Sequence, residues 1–504
     1  MQRRCGELVQ SIRSFRRKKN CTMTTVNATS EEELESVLAA SEKASRALRL
    51  MDRQQRAGYL DAVADALDAS ADALVPVAQA ETNLPEIRLR SELKRTTFQL
   101  RLFSDVVRTG EYLDVRIDHA DPEWPMGAPR PDLRRMLVPV GPVVVFSASN
   151  FPFAFSVAGG DTASALAAGC PVVVKAHGGH PLLSAETARV VSDALGAVGA
   201  PEGTFGIVYG TDSGRVVVQD RRIKAAGFTG SIPGGRALFD LAAARPDPIP
   251  FYGELGSNNP VFVTRAADQT RGEQIAAEFI GSFTMGSGQF CTKPGTLAVP
   301  RGSSTLAALQ GAQLPDGGAL LNDRIRHGYL NSVKELQAAG AKVLNAGAEP
   351  FADTPSPVIH LITIDDVLAH PAELLGECFG PSSLVIEYDT EEQLIDLAGV
   401  FEGQLTATVQ AEDDCNVDEL ITVLSEKAGR VLWNQWPTGV SVTYAQQHGG
   451  PYPASTISSS TSVGTAAIER FLRPVSFQGF PQQALPEVLR DHTSDPLPRL
   501  IDGK

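Results

Sequence analysis

Short runs of uninterrupted apolar residues constrain this chain more than any other feature. "VPVGPVVVF" (138–146), "PVVVKA" (171–176) and "GTFGIVYG" (203–210) are each strand-length and bounded by Gly or Pro. None alternates apolar with polar residues, so none reads as a strand with one wet face. Between and after them, "LLSAETARVVSDALGAVG" and "GGRALFDLAAAR" repeat apolar residues at spacings of three and four, the helical period. Strands covered on both faces and joined by helices indicate a parallel, doubly wound α/β sheet. "MLVPVGPVVVFSA" (136–148) is expected to be one buried strand of it, leading through "SASNFPFAFS" into a helix.

The alternation restarts at "VFVT" (261–264) and persists to about residue 432, which predicts a second α/β domain. At 504 residues, more than one core is expected. Residues 31–113 are alanine-rich and helical in period, whereas 114–136 are rich in Pro and Asp and read as an excursion. The tail after 470 carries few helix signals and is expected to form a strand that pairs outside its own domain. The first 25 residues are basic and lack an apolar centre. They read as a disordered tail or as the product of a start codon upstream of Met23, with an organelle transit peptide as the alternative.

The net charge of −14 gives no basic surplus for phosphate contacts and argues against nucleic-acid or anionic-membrane partners. No stretch reaches the length of a membrane span. Six cysteines without CxxC pairs fit a reducing, cytoplasmic setting. The eight histidines form no metal-ligand pattern; His177 and His180 lie three apart in a Gly-Pro loop, and no metal is predicted.

Several loops carry residues suited to chemistry. "GSGQFCTKPG" (286–295) sets Cys291 among small and turn-forming residues rather than apolar ones, so backbone can approach it closely. Asn150 follows a buried strand, where it serves as an N-cap or as an amide donor to an oxyanion. "FYGELGSNNP" (251–260) places Glu254 beside aromatic residues; desolvation there favours the neutral carboxyl and suits a general base. Lys175 ends a strand, as a solvated cap or as a hand for ribose hydroxyls. "FTGSIPGG" (228–235) combines a strand end, a Gly-Ser turn and a helix opening, so Gly230 and Ser231 offer a phosphate site or a turn without a ligand. In "GECFGP" (376–381), Glu377 stands in a loop and Cys378 reads as structural.

In order and separation these segments resemble the NAD(P)-dependent aldehyde dehydrogenases over residues 30–485. The shared features are Asn150 to Pro152, Lys175, the turn at 228–231, Glu254 to Gly256, Gly288 to Cys291, and Glu377 to Pro381. "VLWNQWPTGVSVTYAQQHGGPYPAST" (431–456) and the segment after Ser147 look like the branch that contains 2-oxoglutarate semialdehyde (2,5-dioxopentanoate) dehydrogenases. NADP-preferring fatty aldehyde dehydrogenases are its neighbours. Lys293 and Ser257 depart from the wider family's Asn and Gly; the second change is shared by this branch.

The resemblance implies a cofactor domain (26–113 and 137–253), a catalytic domain (254–432), a return segment (433–469) and an oligomerisation arm (114–136 and 470–504). It also implies a homodimer or homotetramer. Cys291 would be the nucleophile, Asn150 the oxyanion donor and Glu254 the base, with the Cys291 loop amides favouring the thiolate. Lys175 and Glu377 would bind the two riboses, while Gly230, Ser231 and the following helix with Gly235 would face the pyrophosphate. Ser149, His177, Gly178 and Phe379 would complete the cofactor contacts. Gly178 replaces a glutamate of NAD-preferring relatives, so NADP is expected to be accepted at least as well as NAD. Arg215 is a weaker candidate for the second charge on the 2'-phosphate. Phe151, Gln289, Thr292 and Lys293 are the expected substrate contacts, with Arg430 and the amides near Thr438 and Gly439 as further candidates for a distal carboxylate.

Overall fold

In the computed structural model, residues 26–504 are described; the N-terminal tail predicted for 1–25 lies outside the described residues. Helices Glu31–Arg49, Arg53–Ala69, Ala71–Thr82 and Glu86–Thr109 account for the alanine-rich region. The first starts with a capping box: Ser30 Oγ accepts from the Glu33 amide, and the Glu33 carboxylate accepts from the Ser30 amide.

Three sheets follow. The first has five parallel strands in the order Phe205–Val208, Val172–Lys175, Val143–Phe146, Ala225–Thr229, Phe251–Glu254. Its chain starts in the middle, runs outward to one side and returns on the other. The order therefore reverses between Val143–Phe146 and Ala225–Thr229, and a crevice opens there at the carboxyl ends. Val143, Val144, Val172, Val173 and Val174 are fully buried, as runs without alternation require.

The second sheet has seven strands: Lys342–Ala346, Val358–Thr363, Ser382–Tyr388, Thr296–Pro300, Val261–Val263, Gln404–Gln410 and Ala428–Trp433. All pair in parallel except the first, an antiparallel edge. The third sheet, of four strands, joins Val115–Asp118, Leu133–Pro139, Leu472–Gln478 and Arg499–Ile501. Leu472–Gln478 forms one edge of it and pairs antiparallel with Leu133–Pro139.

Two expectations need correction. "MLVPVGPVVVF" is not one strand: Gly141, at φ 127°, and Pro142 break it, so Leu133–Pro139 joins the small sheet and Val143–Phe146 the parallel one. No helix starts at Asn150 either. The next one begins at Gly160, because the buried Glu92 accepts the amides of Phe153 (2.8 Å) and Ala154 (3.0 Å) and holds the intervening segment in turns. Asn150 is therefore not an N-cap. Among the described residues no helix is long and apolar enough to cross a membrane.

Candidate active site

The five-stranded sheet presents the carboxyl ends of its strands to one cleft, and the seven-stranded sheet presents the amino ends of its own. Lys175, Ser147–Asn150, Gly230–Ser231 and Glu254 come from the first edge. Cys291 precedes Thr296–Pro300, Glu377 precedes Ser382–Tyr388, and Arg430 lies near the start of Ala428–Trp433.

The nucleophile loop is fixed by side chains that satisfy its backbone. Asn259, itself at φ 58°, donates from Nδ2 to the carbonyls of Cys291 (2.8 Å) and Lys293 (3.0 Å). Gln404 Oε1 accepts the amides of Asn258 and Asn259 and the hydroxyl of Ser257. Ser257 Oγ also accepts from the Leu405 amide (3.0 Å), which gives this departure from the family's glycine a structural task. At Gly288, φ 68°, a Cβ would sit 2.0 Å from the Gly380 carbonyl, so only glycine lets the nucleophile loop cross the Phe-Gly-Pro loop.

Around Cys291 the structure assembles a cluster that the sequence did not show. His448 Nε2 lies 3.5 Å from Cys291 Sγ and 2.9 Å from Glu254 Oε1. Hydrogen-bond geometry is met toward the sulfur; Oε1 is at ion-pair distance without an aligned hydrogen bond. Ser462 donates a short hydrogen bond to Glu254 Oε2. Burial works to raise the Glu254 pKa, but the contacts with His448, Ser462 and Cys291 outweigh it and hold the carboxyl below its ordinary value. The sequence-based expectation of a neutral carboxyl is thus reversed. Cys291 moves the other way: burial first, then the Glu254 charge and hydrogen bond, push its thiol well above the ordinary value, with Arg95 opposing. The expected thiolate is a thiol at rest, with its bases alongside. Cys, His and Glu atoms within 4.8 Å of one another also form a metal-capable triad, a grouping absent from the sequence pattern.

Asn150 is buried and uses Nδ2 on the Gln289 carbonyl (3.2 Å). The amide keeps a second N–H, and the Cys291 N–H makes no hydrogen bond among the described residues. Gln289 is engaged elsewhere: Oε1 accepts from the Leu321 amide and Nε2 donates to the Gly286 carbonyl. Thr292 is fully buried and accepts from the Gly439 amide (3.3 Å). Phe151 packs edge-on against Phe155 and Phe290. Lys293 is not a solvated loop lysine; it is buried, and Nζ donates to the carbonyls of Cys378 (2.6 Å) and Ser382 (2.7 Å). Those carbonyls would otherwise lack partners, so the loop draws the ammonium inward.

On the other side, Ser231 is exposed at the start of the Ile232–Ala243 helix, whose first turn has no side-chain cap. Its free amides suit a phosphate. The Gly230 amide is not among them, since it donates to the Glu254 carbonyl (3.1 Å). Gly235 serves packing: a Cβ there would lie 2.1 Å from Leu255 Cδ2. Lys175 is half-buried, which lowers its pKa. A Cβ on Gly178 would meet nothing within 4 Å. His177 accepts the Gly179 amide and is held at about 3 by burial, hence neutral. Ser149 is half-buried beside Asn150. Glu377 is raised to about 7 by burial and points at Gly256, where a Cβ would be 2.6 Å from Oε2; Phe379 is half-buried beyond it. Arg215 is well exposed, 4.0 Å from Asp212. Open donors at a helix start and unfilled space beside Lys175 fit a dinucleotide.

The sequence profile of the aldehyde dehydrogenase family matches residues 6–476. The chain belongs to the aldehyde dehydrogenase family. As a member it is an NAD(P)-dependent oxidoreductase that oxidises aldehydes. It is 42% identical over 481 residues to an alpha-ketoglutaric semialdehyde dehydrogenase of Acinetobacter baylyi, covering 94% of this chain and 91% of that one. It is 44% identical over 488 residues to alpha-ketoglutaric semialdehyde dehydrogenase 2 of Azospirillum brasilense, covering 94% and 92%. In fold it is similar to 3,6-anhydro-L-galactose dehydrogenase in complex with NAP (TM-score 0.75, 23% identity, 90% and 92% covered). It is likewise similar to betaine aldehyde dehydrogenase of Staphylococcus aureus (TM-score 0.76, 20% identity, 91% and 90% covered).

Proposed function

We propose that this aldehyde dehydrogenase oxidises 2-oxoglutarate semialdehyde to 2-oxoglutarate and accepts NADP at least as well as NAD. The observation that carries the chemistry is the buried contact of Cys291, His448 and Glu254 beside the unengaged Cys291 amide. The names of the two long-matching relatives support the substrate.

At rest the Cys291 thiol keeps its proton. As sulfur approaches the carbonyl carbon, that proton passes to His448, whose Nε2 is within hydrogen-bond reach of the sulfur, and from there to solvent, which leaves Glu254 ionised for the next step. The resulting oxyanion lies toward Asn150 Nδ2 and the Cys291 N–H; one such donor is worth roughly 3 kcal/mol in related acyl chemistry. When bound, the cofactor supplies the hydride acceptor, held by Lys175, Ser231 and the helix start, with Glu377 opposite. Cys291 then carries an acyl thioester. Glu254, ionised because its pKa is low, takes a proton from water as the oxygen adds; the acid leaves and the thiol is restored.

Gly178 supports use of NADP, because this position carries no carboxylate and borders open space. The exposed edge strand Leu472–Gln478 suits pairing with a second copy, which supports a strand-linked dimer. Specificity constants for 2-oxoglutarate semialdehyde, succinate semialdehyde, pentanal and benzaldehyde with both cofactors test the substrate reading. Preference for pentanal over the semialdehyde contradicts it.

A further inference from the structure

Three arginines that contact the Asn150 segment, Phe155 and the turn at Pro437–Val440 have part of their hydrogen-bonding capacity unused. Arg88 and Arg95 lie two turns apart on the Glu86–Thr109 helix and share a face with Glu92. Glu92 is engaged with the Phe153 and Ala154 amides. Arg88 is anchored at one end: Nη2 donates to the Asn150 carbonyl (2.7 Å), and the guanidinium lies 5.1 Å from the Phe151 ring and 4.7 Å from the Phe290 ring, while Nε and Nη1 are buried without a partner. It positions the segment that carries Asn150.

Arg95 differs. Its guanidinium rests 5.4 Å from the Phe155 ring centre and reaches only the Val440 carbonyl, at 3.4 Å, near the limit of a hydrogen bond. Nη1 is buried without a partner. Phe155 in turn lies 6.3 Å from the His448 ring, which contacts Cys291 and Glu254, so Arg95 borders the same cleft. From the second sheet, Arg430 donates to the carbonyls of Pro437 (2.8 Å) and Gly439 (3.3 Å) and leaves Nε buried and unpartnered. Its charge acts on Cys291. Gly439 and Val440 are consecutive, so a cation from the Glu86–Thr109 helix and one from the seven-stranded sheet converge on one turn. Among the described residues neither forms an ion pair. A guanidinium held with open, desolvated donors is costly unless an anion completes it.

We propose that Arg95, with Arg430 as second cation, anchors the distal carboxylate of the substrate, and that this anchor selects semialdehydes of dicarboxylic acids over neutral aldehydes of equal length. The assignment rests on aldehyde oxidation at Cys291 and names the substrate class of that site. Arginine suits it because its planar fork matches a carboxylate with two parallel hydrogen bonds. Phe155, under the Arg95 guanidinium, gives the methylene chain an apolar wall.

The test is the ratio of kcat/KM for 2-oxoglutarate semialdehyde to that for pentanal, in wild type, Arg95→Met, Arg95→Lys and Arg430→Met. Arg95→Met is expected to lower the ratio about 30-fold, the scale of lost charge-assisted hydrogen bonds. Arg95→Lys should recover part of it, and Arg430→Met should lower it about fivefold. Glutarate, a dicarboxylate without an aldehyde, should compete with pentanal in wild type and lose that competition in Arg95→Met. A wild type that prefers the semialdehyde together with an unchanged ratio in Arg95→Met overturns the anchor and leaves the semialdehyde reading intact. A wild type that prefers pentanal overturns both.

Discussion

The two edges that face each other across the cleft are finished to different degrees. On the edge of the seven-stranded sheet, Asn259, Gln404, Ser257, Gln289 and Lys293 satisfy loop carbonyls and amides from within the protein. On the edge of the five-stranded sheet, the Ile232–Ala243 helix start is uncapped, Lys175 is unpaired among the described residues, and Gly178 borders open space. One edge holds a nucleophile in place; the other leaves donors for a molecule still to arrive. Substitutions among the supports of the Cys291 loop should therefore alter chemistry or stability, and those at Lys175, Gly178 and the helix start should alter cofactor affinity while stability stays put.

The largest effect is expected for Cys291→Ala, which should abolish aldehyde oxidation while cofactor binding, followed by fluorescence titration, persists. His448→Gln should follow, with kcat reduced about 100-fold, the usual contribution of a positioned acid or base. Loss of cofactor affinity instead would move His448 to the other edge. Lys293→Met should cost about 3 kcal/mol of stability, read as a lower Tm, because two buried carbonyls lose their donor. A change in substrate preference without a change in Tm would return Lys293 to the substrate. Across the cleft, Gly178→Glu should lower NADP use relative to NAD about tenfold through repulsion, with Tm unchanged. Unchanged cofactor preference would show that Gly178 does not face the 2' position.

The same contrast governs what could be read from sequence. Lys175, Ser231 and the Cys291 loop were legible because a turn, a strand end and close backbone approach are written in neighbouring residues. His448 was not, since it lies 157 residues from Cys291 and meets it only through the fold; its one local signal is a histidine in "QQHGG", among glycines like those around Cys291. Arg95 was hidden in an ordinary amphipathic helix. The reading of Glu254 was right about burial and wrong about its consequence, because the contacts with His448, Ser462 and Cys291 reverse the sign. Lys293 turned inward for two carbonyls whose need cannot be seen along the chain.

The pH dependence of Cys291 alkylation gives a direct check on the electrostatics. The Glu254 charge raises the thiol, so Glu254→Gln should shift the alkylation limb to lower pH. The measurement closest to the central claim is rapid mixing of that same variant with aldehyde and cofactor. Thiol addition should still proceed and release one equivalent of reduced cofactor per site, after which turnover should stall at the thioester for want of a base. Steady turnover of Glu254→Gln at the wild-type rate would contradict the account.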